Sequence, residues 1–276
     1  MTNQNNKKVS VITGGGSGMG LAAAKVLGKE HYIIIVGRTL AKLETALQEL
    51  RSDGIECESF SCDIADYNSA NKLAQYSKTI GEIAAVIHSA GMSPNMGDAK
   101  KIMEANAIGT ININNAFYEV LKEGSCIVDI SSMSGYMAPK IVLPIKSYKY
   151  CRISMDKFMN KMMSRINLFP KKLRSQLAYV ISKNFVTWYA ITDAARFGLK
   201  GIRVISVSPG TFETPMGELE KENADAHLRY CAIKRPGKVD EIAHLLAFIA
   251  SEKAGYLTGL DIICDGGCIA GKNYKI

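Results

Sequence analysis

The 276-residue chain has no apolar run long enough to cross a bilayer. Its polar start, Met1 to Lys8, lacks the hydrophobic stretch of a secretory signal, so a cytoplasmic protein is expected. Seven cysteines, an odd number, contain no CxxC pair. Cys264 and Cys268 flank Asp265-Gly266-Gly267 with no histidine set at ligand spacing. A disulfide scaffold and a structural metal site are therefore set aside in favour of reduced, mostly buried thiols. No metal is expected.

What is present is ordinary for one globular unit. The hydrophobic fraction is 47% and the charged fraction 22%. The length suits a single α/β domain over residues 1–276. The net charge of +8 is local: residues 140–174 hold ten Lys or Arg and one acid, leaving −1 for the remainder.

The first half alternates strand and helix. Val9-Ser10-Val11-Ile12 reads as a buried strand running into Thr13-Gly14-Gly15-Gly16-Ser17-Gly18-Met19-Gly20, and Leu21 to Leu27 has helical composition. Strand, glycine turn and helix form a dinucleotide cradle, because glycines let the backbone approach a pyrophosphate at a helix N-terminus. The apolar run Tyr32 to Val36 ends in Gly37-Arg38-Thr39, about 20 residues further on, where the ribose is read. An acid there would bind the 2′-hydroxyl of NAD(H). Arg38 suits a 2′-phosphate instead, so NADP(H) is expected, with NAD(H) as the alternative. Further helices are expected around 41–50 and 70–77, with strands around 57–62 and 84–87. His88 reads as structural.

Tyr and Lys four apart share a helix face. A phenol ordinarily titrates near pH 10, and a close cation favours its ionised form, which suits proton transfer near neutrality. Four such pairs occur: Tyr118/Lys122, Tyr136/Lys140, Tyr179/Lys183 and Tyr230/Lys234. Spacing alone does not choose among them.

Together these segments resemble the short-chain dehydrogenase/reductase family over nearly the whole chain. Residues 13–20 resemble its cofactor signature, bringing in Gly14, Ser17, Gly18, Met19 and Gly20. Asp63-Ile64 resembles the adenine-contacting pair, and Ser89-Ala90-Gly91 a variant of the Asn-Ala-Gly motif. Ser208 to Met216 resembles the nicotinamide-side loop, implying cofactor contacts from Pro209, Gly210, Thr211 and Thr214, and Gly259 to Gly267 resembles the last strand. The loop from Thr211 to Tyr230 is expected to shape the pocket. The resemblance implies one doubly wound Rossmann domain, a mostly parallel seven-stranded sheet with helices on both faces.

The resemblance also implies the catalytic set Asn106, Ser132, Tyr179 and Lys183. Tyr179 would exchange a proton with the substrate oxygen. Lys183 would favour the phenolate and bond the nicotinamide ribose. Ser132 would stabilise the developing charge, with Ser131 its rival at the end of the strand Cys126 to Ile130. Asn106 would hold a water beside Lys183. Only Tyr179 among the four tyrosines precedes a convincing helix, Asn184 to Phe197, and then a strand, Arg203 to Val207.

Ser132 and Tyr179 stand 47 residues apart. The intervening segment, about 139–175, reads as a helical insertion with Met155, Phe158, Met159, Met162 and Ile166 in an apolar stripe. Three readings stay open: packing against a second subunit, a lid over an amphipathic anionic substrate, or a basic helix on an anionic membrane or nucleic acid. An insertion here, with residues 179–184 and 210–215, resembles the 3α-hydroxysteroid dehydrogenase/carbonyl reductase subgroup. That resemblance departs at Gly37-Arg38, where those members carry an acid. It implies a small, bulky apolar alcohol or ketone such as a steroid or bile acid, and a homo-oligomer, dimer or tetramer. No nucleic-acid partner is expected. The alternatives are a 3-oxoacyl-thioester reductase and a non-catalytic nucleotide-binding module.

Overall fold

The computed structural model describes residues 8–218 and 226–274. Its centre is a seven-stranded sheet in the order β3-β2-β1-β4-β5-β6-β7, every pair parallel. The strands are β1 (Lys8–Thr13), β2 (Tyr32–Gly37), β3 (Cys57–Ser61), β4 (Glu82–His88), β5 (Cys126–Ile130), β6 (Arg203–Pro209) and β7 (Asp261–Cys264). The order reverses between β1 and β4, and a crevice opens there at the carboxyl ends of the strands.

Continuous apolar runs fit strands covered on both faces: Ile33 to Val36 are fully buried. One face packs against α1 (Gly18–Leu27), α2 (Leu40–Ser52) and α10 (Val239–Ala250). The other packs against α3 (Tyr67–Ile80), α5 (Gly109–Tyr118) and α8 (Arg174–Gly198). The expected elements are present; α2, α3 and β4 run a few residues longer than expected, whereas β3 ends at Ser61 and the last strand is confined to Asp261–Cys264. α8 begins at Arg174 instead of Asn184, so Tyr179 and Lys183 both lie inside it. The helix entering α5 is continuous from α4 (Ala99–Met103) through a π-helical turn, Glu104–Ile108.

Between β5 and α8 the chain forms α6 (Ile145–Tyr148) and α7 (Met155–Asn167). Ser154 caps α7 by accepting from the Lys157 amide. The apolar stripe of α7 does not wait for a second subunit. Phe158, Met162 and Ile166 are fully buried in their own chain, in one cluster with Ile102, Ala178 and Phe185. Phe158 and Phe185 have ring centroids 4.7 Å apart. Spacing revealed the stripe but could not reveal which surface covers it. The basic residues remain outside, and Arg152 reaches back over Trp188 to donate to Thr192 Oγ1 at 2.8 Å. Among the described residues no helix is long and apolar enough to cross a membrane.

Candidate active site

A cavity of about 730 Å³ occupies the crevice. β1 delivers the glycine turn into it. Gly14 has φ +70°, and a Cβ there would lie 2.8 Å from the Ala90 amide nitrogen. The backbone can therefore press against the end of β4 only with glycine at this position. Ser17, Gly18 and Met19 line the wall, with Gly18 opening α1. Gly20 does not. A Cβ on Gly20 would meet the Gly14 carbonyl at 2.5 Å, so this glycine serves the packing of α1 against its own turn.

Arg38 lines the cavity at the end of β2, as expected from spacing. Lys42, in the first turn of α2, joins it there. Sequence reading missed Lys42, because Arg38 precedes the helix and no helical spacing links the two. Asp63 and Ile64 line the far end, where Asp63 Oδ1 accepts from the Ala65 amide at 3.0 Å. Ala90 and Gly91 form the floor. The Ala90 amide donates to Thr13 Oγ1 at 3.1 Å, and Thr13 Oγ1 pairs with His88 Nδ1 at 2.8 Å. Thr13 and His88 thus tie β1 to the exit of β4, beside a Ser89 that replaces the expected Asn. Burial holds His88 neutral, its pKa pushed down to about 3. Among the described residues no cluster of three or more His, Cys, Asp or Glu stands at metal-ligating distance.

Pro209, Gly210, Thr211 and Thr214 close the opposite wall. Phe212, Met216 and His227 extend it; residues 219–225 of the expected pocket-shaping loop lie outside the described residues.

Ser132, Tyr179 and Lys183 converge on the same cavity. Tyr118, Tyr136 and Tyr230 do not line it. Tyr136 instead donates to Asp261 Oδ2 at 2.6 Å. The two serines both line the cavity and differ in their hydrogen bonds. Ser131 Oγ donates to the Lys183 carbonyl at 2.7 Å and accepts from Thr187 Oγ1 at 3.0 Å, whereas Ser132 Oγ accepts from the Ser134 amide at 3.1 Å. Ser132 retains its hydroxyl proton for a ligand. The Lys183 Nζ is 5.9 Å from the centroid of the Tyr179 ring and donates to the Ile130 carbonyl at 2.8 Å. Burial pushes its pKa down to about 8, opposed by the charge of Asp129.

Asn106 stands behind this group and does not line the cavity. Its side chain accepts from the Met92 amide at 2.7 Å and donates to the Met92 carbonyl and Ser182 Oγ at 3.0 and 3.1 Å. It fastens the loop after β4 to α8. No residue of the 139–175 segment is among those lining the cavity.

A parallel sheet with its crevice at the reversal of strand order, a glycine cradle and a paired Tyr and Lys define a dinucleotide-linked oxidoreductase. Residues 8–165 match the family model described as short chain dehydrogenase, and residues 169–268 that described as enoyl-(acyl carrier protein) reductase. The chain belongs to the short-chain dehydrogenase/reductase family. It is 29% identical over 266 residues to the short-chain dehydrogenase/reductase bsc3 of Alternaria brassicicola, covering 94% of this chain and 95% of that protein. It is 24% identical over 281 residues to cyclohexanol dehydrogenase of Acinetobacter sp. (strain SE19), covering 96% of each. A short chain dehydrogenase from Burkholderia cenocepacia, solved in complex with NADP, superposes with a TM-score of 0.76 at 22% identity, over 96% of this chain and 99% of that one. The cradle fits a nicotinamide dinucleotide: its glycines admit a pyrophosphate to the start of α1, and Arg38 and Lys42 stand at the ribose end.

Proposed function

We propose that the chain interconverts a secondary alcohol and a ketone on a bulky apolar substrate, such as a hydroxysteroid or bile acid, with NADP(H). The observation that carries this reading is the convergence of the Tyr179 phenol and the Ser132 hydroxyl on one cavity, facing Met92, Met96, Met133 and Met216. Methionine side chains adapt to broad hydrocarbon surfaces, and Phe212 adds a flat wall.

The bound nicotinamide supplies or accepts the hydride. In the reducing direction Tyr179 gives its phenolic proton to the substrate oxygen, and in oxidation its phenolate takes that proton back. Lys183, fixed by the Ile130 carbonyl, stabilises the phenolate by Coulomb attraction. The Ser132 hydroxyl donates to the substrate oxygen as charge gathers there. Asn106 is a positioning residue, holding Met92 and Ser182 around the group. Arg38 and Lys42 favour NADP(H), since two cations and no acid stand at the end of β2.

A second reading rests on Lys101, an exposed cation on the cavity wall, together with the match of residues 169–268 to the enoyl-(acyl carrier protein) reductase model. A cation there suits the phosphopantetheine arm of a 3-oxoacyl thioester. Oxidation of NADPH and NADH is to be followed with oxo-steroids, oxo-bile acids, simple ketones and acetoacetyl thioesters. NADPH-dependent turnover of the steroid-like set is expected. Turnover of thioesters alone would move the assignment to the second reading, and silence with every carbonyl would overturn both.

A further inference from the structure

Beneath the catalytic group the sheet carries a polar row where its neighbours are apolar. Thr13 pairs in register with His88, His88 with Asp129, Asp129 with Ser206 and Ser206 with Asp261, across β1, β4, β5, β6 and β7. Residues in one register row of a parallel sheet point to the same face. This is the face that packs against α5 and α8, the helix bearing Tyr179 and Lys183. Thr13, Asp129 and Ser206 are wholly buried, and His88 nearly so.

A buried carboxylate is costly unless it is hydrogen-bonded and set against a cation. Asp129 has the first condition from α5, where Asn114 Nδ2 donates to both carboxylate oxygens at 2.9 and 3.2 Å. The second is met from α8, where Lys183 Nζ donates to the carbonyl of Ile130, the residue that follows Asp129, at 2.8 Å and its charge acts on Asp129. Lys183 in turn meets Asp129 as its source of negative charge, its own hydrogen bond going to a neutral carbonyl. The other titratable groups nearby do not supply the countercharge. His88 on β4 is neutral, and Tyr179 on α8 is the group being acted upon. Asp193 on α8 acts on Asp129, but is itself bonded to Arg196 at 2.6 Å and Arg152 at 3.4 Å.

We propose that Asp129 is a positioning residue for the hydride-transfer site, its carboxylate, clamped by Asn114, serving as the countercharge that keeps Lys183 an ammonium beneath Tyr179. The inference deepens the reading of the site as an alcohol/ketone oxidoreductase and rests on it. Asp129 touches neither substrate nor cofactor. It acts through Lys183, and Asn114 acts through Asp129. The burial that drives Asp129 up to about 7 and Lys183 down to about 8 brings both titrations close to neutrality. Their mutual attraction opposes both shifts, so removing one charge moves the other group further from its ordinary value.

The test reads Lys183 directly. Full-length protein labelled with [ε-13C]lysine is titrated by NMR, with the Lys183 signal assigned from Lys183→Arg. In Asp129→Asn, which keeps the size of the side chain, the Lys183 midpoint is expected to fall by about one pH unit. The alkaline limb of kcat/KM for alcohol oxidation moves to lower pH with it. A purely structural role for Asp129 would lower thermal stability and leave the midpoint in place. If Asp129→Asn does not fold, Asn114→Ser withdraws the clamp and should move the midpoint in the same direction. An unmoved Lys183 midpoint in the folded variant overturns the proposal. A wild-type protein that turns over no carbonyl would instead overturn the oxidoreductase reading, while the NMR midpoint still decides the role of Asp129.

Discussion

Ser131 Oγ donates to the backbone carbonyl of Lys183 at 2.7 Å, and this bond separates the roles of two adjacent serines. Ser131 ties β5 to α8, whereas Ser132 lines the cavity with its hydroxyl accepting from the Ser134 amide. Ser132→Ala is expected to lower kcat by about 100- to 1,000-fold, the usual loss when one donor to a developing oxyanion is removed. Ser131→Ala should instead lower stability by about 1–3 kcal/mol, since the buried Thr187 hydroxyl loses its acceptor. Steady-state kinetics and denaturant titration of the two variants distinguish these outcomes.

Tyr179→Phe removes the exchangeable proton and little else. Turnover should drop by about 100- to 10,000-fold. NADPH binding, followed by nucleotide fluorescence, should stay within a few-fold of the wild type. Substantial remaining turnover would remove Tyr179 from its place in the mechanism.

Arg38 and Lys42 stand together at the ribose end of the cavity. Each charge-assisted hydrogen bond to a 2′-phosphate contributes about 1.5–3 kcal/mol. Arg38→Ala and Lys42→Ala should therefore each raise the Kd for NADPH by about 10- to 100-fold and leave that for NADH nearly unchanged. Equal weakening toward both cofactors would place these cations away from the phosphate.

His88 makes the fold sensitive to acid. Its imidazole stays neutral in the folded chain down to about pH 3, whereas the unfolded chain takes up the proton below about 6.5. Its stabilising effect is complete above 6.5 and is lost as the pH falls toward 3. Asp129, pushed up to about 7, has the opposite sign: the folded chain protonates it first, so stability rises as pH falls from 7 toward 4. His88→Asn offers an oxygen to the Thr13 hydroxyl without the titration. Between pH 6.5 and 5 the variant should avoid a loss of about 2 kcal/mol, measured by urea unfolding at each pH.

Phe158 is fully enclosed by its own chain. Phe158→Ala should cost about 3–5 kcal/mol of unfolding free energy. The loss should not depend on protein concentration, because the contacts are made within one chain. A loss that vanished on dilution would return the stripe to an interface between subunits.

Much of the architecture was legible in the chain. Periodicity and composition located β1, β2 and the helices of the first half, because apolar runs and glycine turns are local signals. The resemblance to a family brought Ser132, Tyr179 and Lys183 together, and spacing alone found Arg38. Local signals failed wherever a partner came from a distant segment. The stripe on α7 shows that it must be covered, but its cover is α4 and α8. Gly20 reads as a cofactor contact, yet packs a helix against its turn, and the bonds by which Asn106 ties the Met92 loop to Ser182 have no local signal. Lys42 went unnoticed because an exposed lysine in a first helical turn looks like any other. The polar row through Asp129 becomes visible only when the strands are set side by side.

The π-helical turn at Glu104–Ile108 makes the catalytic group vulnerable to a change of length with no change of chemistry. A wide turn accommodates a residue that a regular helix would not hold. Deleting one residue there would leave a regular α-helix whose two flanks keep their orientation, and would remove only the wide turn that carries Asn106. Asn106 would then swing away from Met92 and Ser182 even though the surrounding helix kept its hydrogen bonds. A deletion in a regular helix of this chain would turn one side by about 100° and disturb packing; in these five residues it would spare the packing on both sides and lose the fastening of the site.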